Sequence, residues 1–156
     1  MKKIAFVSSL FILLFTLLVF GNTELVGPLS REDILDNHPD WEGIIASYVP
    51  DPVALEEFKS LSFPITVEVV FGVWCSDSKE HVSAYFKIIE LADNPVLISL
   101  FIGIPREKES REPFIKGKNI EKVPTFIVFQ DGQEKGRIIE HPQKSIEEDL
   151  LEIINH

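Results

Sequence analysis

Residues 67–78 read VEVVFGVWCSDS, and the change of character within this stretch decides how the rest of the chain is read. Its first half belongs to a run, Ile65 to Val73, of β-branched and aromatic residues broken by one charge, Glu68. Such a run suits a strand buried on both faces. Its second half turns polar and opens a helix over Ser76 to Leu91, with Val82, Tyr85, Phe86, Ile89 and Leu91 forming an apolar stripe. Cys75 therefore falls at a strand-to-helix junction, where unpaired backbone N–H groups and the positive helix end assist a nucleophilic sulfur. Asp77, in the same first turn, stabilises the helix but opposes negative charge nearby. Cys75 is the only cysteine in the chain. An intramolecular disulfide, a zinc–cysteine cluster and a two-cysteine redox couple within one chain are thereby excluded.

Downstream, Val96 to Ile102 is a second uncharged strand, followed by a charged stretch, Pro105 to Lys118, that reads as a loop with a short helix. Thr125 to Phe129, the Asp131-Gly132 turn and Glu134 to Glu140 form a β-hairpin. Ser145 caps a closing helix through Ile154, with Glu147 and Glu148 as solvated residues at its positive end. Upstream, residues 22–50 read as a helical extension: Ser30 caps one helix, Trp41 to Tyr48 forms another, and Pro52 opens a third through Leu61. Uncharged strands joined by a crossover helix imply a parallel pair with helices on both faces, and the hairpin makes the sheet mixed.

A length of 156 residues with 45% hydrophobic content suits one globular domain and is too apolar for a disordered chain. The formal charge of −10 argues against nucleic acid, because a like-charged surface gains nothing from counterion release. Residues 1–21 carry a leader pattern. Lys2 and Lys3 precede an apolar run, Ile4 to Phe20, broken only by Ser8, Ser9 and Thr16, and cleavage is expected after Gly21. The alternative is an uncleaved membrane anchor, since 17 apolar residues sit at the lower edge of a span. Either way an exported domain is expected, periplasmic or extracellular, in an oxidising compartment.

Together, WCSDS after a buried strand and VPTFIVFQDG at residues 123–132 resemble the thioredoxin superfamily. The resemblance covers residues 51–156 and implies an α/β thioredoxin-like three-layer sandwich: a mixed central sheet with helices on both faces. It also implies a cis Val123–Pro124 bond facing Cys75 as the attacking thiol. Trp74, Val123, Pro124 and Thr125 would then line the substrate groove, with backbone groups beside Pro124 pairing to an extended substrate. This sequence departs from the family at three positions, one of them Asp77, between Cys75 and Ser78, with its opposing charge. Ser78 stands where the resolving cysteine belongs, so no second thiol closes the cycle; its hydroxyl, on the same helix face as Cys75, could donate to the sulfur or serve the helix end. Val69 stands where a buried acid assists that thiol, and Glu68 should face the other side of the strand. The implied activity is thiol–disulfide exchange through Cys75 by mixed disulfides, on protein or small-molecule thiols and disulfides. A monomer is expected, without a cofactor, and with membrane contact only if the leader is uncleaved. The rival reading is a non-catalytic module that keeps the groove for peptide binding, with Cys75 as a small buried hydrophobe. His81 lies about 240° around the helix from Cys75 and so points elsewhere. His38, His141 and His156 show no ligand spacing, and no metal site is expected.

Overall fold

A computed structural model describes residues 24–156, and the leader expected over residues 1–21 lies outside them. The described chain runs β1 (Gly27–Leu29), α1 (Arg31–Asn37), a 3-10 turn over Pro39–Trp41, α2 (Glu42–Ser47), α3 (Pro52–Ser60) and β2 (Ile65–Phe71). It continues through α4 (Ser76–Ala92), β3 (Leu97–Gly103), a 3-10 turn over Lys108–Ser110, α5 (Glu112–Ile115), β4 (Thr125–Gln130), β5 (Gln133–Ile139) and α6 (Ile146–Asn155). The strands form one mixed sheet in the order β1-β3-β2-β4-β5. Parallel β2 and β3 pair from Ile65↔Leu97 to Phe71↔Gly103, with α4 as their crossover. β4 runs antiparallel to β2, and the β4–β5 hairpin turns through Asp131 and Gly132, both at positive φ.

Strand alternation sorts the side chains into two layers. Ile65, Val67, Val69 and Phe71 of β2 enter the main core with Trp41, Phe58, Tyr85, Phe86, Phe126 and Leu150, so α1 to α4 and α6 all pack on this face. On the other face Val70 joins Ile104 and Val123 in a smaller cluster, covered by Phe114 and Ile115 of α5 and by Ile120. Helices thus lie on both faces, as a thioredoxin-like sandwich requires, but unequally. The second uncharged strand, β3, is buried on one face only. Ile98 and Leu100 are 46% and 47% exposed, because the four-residue α5 is too short to reach them.

The segment before residue 50 differs from the purely helical extension expected. Its helices are present, but Gly27–Leu29 adds an antiparallel edge strand to β3. Gly103 admits it: a Cβ there would stand 2.3 Å from the Leu25 carbonyl oxygen. Short-range signals cannot show this strand, since three residues carry no periodicity and the pairing is long-range. Glu147 corrects a second expectation. Rather than a solvated helix start, it is 2% exposed and accepts bonds from Tyr48 Oη (2.7 Å) and the Asp51 backbone N–H (2.8 Å). Among the described residues, no helix is long and apolar enough to cross a membrane.

Candidate functional site

The junction between β2 and α4 is built around Gly72. Its carbonyl accepts the Cys75 N–H at 2.9 Å, closing the turn, and its own N–H donates to Ser78 Oγ at 3.3 Å. The Trp74 ring folds back over the glycine so closely that a Cβ would lie 2.4 Å from Trp74 Cε2. Trp74 Nε1–H donates to the Ile104 carbonyl at 3.0 Å, which ties the end of β2 to the end of β3. Two guanidinium groups stand over the indole, Arg111 at 4.9 Å and Arg106 at 5.6 Å from the ring. Arg106 also donates to the Trp74 carbonyl and Arg111 to the carbonyls of Pro105 and Arg106, and no acid of the described residues is within ion-pair distance of either guanidinium. In a chain with a large acidic excess, this leaves a cationic cap over Trp74, the residue before Cys75. Residues so far along the chain from WCSDS give no local signal of the contact.

Cys75 is the N-cap of α4, half-buried, and its carbonyl accepts the Lys79 N–H that begins the helix. Its thiol donates to the Val123 carbonyl at 3.5 Å, and the Val123–Pro124 bond is cis. Trp74, Cys75, Val123 and Pro124 are therefore brought together as the resemblance implied. Ser78 lies one turn into α4, fully buried, but its hydroxyl serves Gly72. The expected bond from Ser78 to the sulfur is not among the hydrogen bonds of the described residues. Thr125 is likewise buried, and its hydroxyl donates to the Lys122 carbonyl at 2.7 Å, stapling the turn into β4 instead of facing the groove. Val69 lies in the main core, and Glu68 faces the other layer, with Lys118 Nζ at 2.7 and 2.8 Å from its two oxygens.

A second group of polar side chains stands beside the same helix. His81 points away from Cys75 and brings Nε2 to 3.4 Å from Nδ1 of His141, on the turn after β5. Burial holds the His81 imidazole below its ordinary pKa, against the opposing pull of Glu80 and Asp77. Asp77 Oδ2 is 3.9 Å from His141 Nε2, and Glu140 pairs with Lys122.

No protein-family model matches this chain, and a search of curated proteins gave no match. Among solved structures, an HIV epitope scaffold aligns over 67% of this chain and 66% of its own, at 18% identity and a TM-score of 0.51. A protein of unknown function from Pseudomonas aeruginosa aligns over 81% of this chain and 86% of its own, at 16% identity and a TM-score of 0.51. That span is more than residues 51–156 amount to, so the likeness takes in part of the N-terminal segment. A thioredoxin variant from Halobacterium salinarum aligns over 69% of this chain and 86% of its own, at 16% identity and a TM-score of 0.42. The sheet order, the α4 crossover and the cis Val123–Pro124 bond opposite the first turn of α4 define a thioredoxin-like α/β fold. The chain has one cysteine, Cys75, and Ser78, three residues on, is buried.

Proposed function

We propose that this protein is an exported thiol–disulfide oxidoreductase working through Cys75 alone. The observation that carries the reading is the half-buried Cys75 sulfur at the α4 N-terminus, 3.5 Å from the Val123 carbonyl. In the first step Cys75 thiolate attacks one sulfur of a substrate disulfide; an S–S bond forms to Cys75, and the other substrate sulfur leaves as thiolate. In the second, an external thiolate attacks that mixed disulfide, frees Cys75 and takes the substrate sulfur into a new disulfide. Backbone groups at Val123 and Pro124 would align the substrate, and Trp74 would form one wall beside the sulfur. Ser78 keeps the junction closed and contributes no chemistry of its own. Export rests on Lys2, Lys3 and the apolar run Ile4 to Phe20.

The alternative is a peptide-binding module without turnover. One observation favours it: Cys75 is the only cysteine of the chain, so no second thiol of its own can release a mixed disulfide. Trapping separates the two. The full chain and its Cys75→Ala variant are expressed in parallel, alkylated on lysis and run on non-reducing gels. With no resolving thiol, disulfide-linked adducts should accumulate and vanish in the variant. A Cys75 that neither forms adducts nor reacts with iodoacetamide in the folded state sinks the enzymatic reading.

A further inference from the structure

Four residues from two places in the sequence meet beside the first turns of α4: Asp77 and His81 on the helix, and the consecutive Glu140 and His141 after the hairpin. One ligand atom from each of Asp77, Glu140 and His141 lies within 4.8 Å of the other two. Ligand atoms of a tetrahedral zinc site stand about 3.4 Å apart, given metal–ligand lengths near 2.1 Å. The 3.9 Å between His141 Nε2 and Asp77 Oδ2 is thus within a side-chain rotation of that spacing. The fourth residue supplies what a ligating histidine needs behind it. His141 Nδ1 is 3.4 Å from His81 Nε2, with the rings edge to face at 85°. A proton on Nδ1 donated to His81 leaves the Nε2 lone pair aimed at the two carboxylates, as an outer-shell partner does in metal sites.

We propose that Asp77, Glu140 and His141 Nε2 form a divalent transition-metal site, with His81 as the residue that orients His141. One imidazole and two carboxylates suit zinc(II) and its first-row neighbours, and the imidazole disfavours magnesium and calcium. Three protein ligands leave a position for water. Lys122 is the resident competitor, since its ammonium is on Glu140 Oε2.

The test is zinc titration of the full chain by isothermal calorimetry, in a Cys75→Ser background so that the thiol cannot contribute. One zinc per chain is expected, weakened at least tenfold by His141→Ala. Loss of an orienting partner costs ten- to a hundredfold in known metal sites, so His81→Phe should fall in that range. Lys122→Gln should tighten binding, an effect that structural damage would not produce. Imidazole ¹⁵N resonances should move at Nε2 of His141 on zinc addition. All four residues are outside the hydrophobic core, and unchanged circular dichroism checks each fold. Absence of stoichiometric binding, or binding indifferent to His141→Ala and Lys122→Gln, overturns the site. The outcome is independent of whether Cys75 turns over.

Discussion

Gly72 has no side chain, and three neighbours use the room this leaves. Trp74 lays its indole there, Ser78 takes the glycine N–H, and the glycine carbonyl holds the Cys75 N–H. A methyl group at position 72 would meet the indole at 2.4 Å, so the ring must move, breaking its bond to Ile104 and leaving the two guanidinium groups without their platform. Overpacking of this kind costs about 1–3 kcal/mol. Gly72→Ala should therefore lower stability by that order, measured by urea unfolding, and shift Trp74 emission to the red in a Trp41→Phe background. Unchanged emission would contradict the geometry. Cys75 was legible from its residue type at a strand-to-helix junction, and Val123-Pro124 from the resemblance of its motif. The roles of Ser78 and Thr125 were not. Each hydroxyl had several partners within reach along the chain, and only the path of the backbone selected Gly72 and Lys122.

At the scale of elements, groups that titrate close the start of α1 and tie the turn after it to α4. Asp33 closes a capping box on Ser30, whose backbone N–H holds its carboxyl below the usual range. Asp40 is held down in the same direction by its bond to Lys79 of α4. A carboxyl with a lowered folded pKa binds its proton less readily than in the unfolded chain. Its stabilising effect is then complete above the unfolded value, about 3.9, and disappears as pH falls through the lower folded value. Trp41, fully buried at the end of the 3-10 turn, is the reporter. In a Trp74→Phe background its emission should shift red below about pH 4, and Asp33→Asn with Asp40→Asn should flatten that profile. An unaltered profile in the double variant would show that other groups govern the acid response. The helices of this region were readable from Ser30, Pro52 and their first-turn acids. Strand β1 was not, because pairing with β3 across more than seventy residues creates it.

The whole molecule has one main core, and the N-terminal segment is part of it. Ile34, Trp41 and Ile45 bury their side chains against the same cluster as β2 and α4, and the Glu147 carboxylate ties Tyr48 and Asp51 to α6. Shared burial makes the parts unfold together. Single-tryptophan variants retaining only Trp41 or only Trp74 should therefore give coincident denaturant transitions. An earlier transition at Trp41 would instead mark residues 24–50 as a separate unit. The same scale explains the uneven sheet. Among the described residues five helices lie on one face and α5 alone on the other, so Ile98 and Leu100 stay open to solvent, a result of element length that an uncharged strand sequence does not disclose.

Composition and periodicity alone determined the α/β class, the central strand and the crossover helix, while the resemblance carried by WCSDS and VPTFIVFQDG implied Cys75 with Val123-Pro124 as a pair. Each rests on local patterning or on a residue type with few uses. Tertiary structure alone decided the arginine cap on Trp74, the inward-turned hydroxyls of Ser78 and Thr125, the edge strand, and the meeting of His81 with Asp77, Glu140 and His141. Those depend on contacts between residues distant in the chain, and no short-range pattern encodes which distant partner a polar group finds once the hydrophobic core has folded.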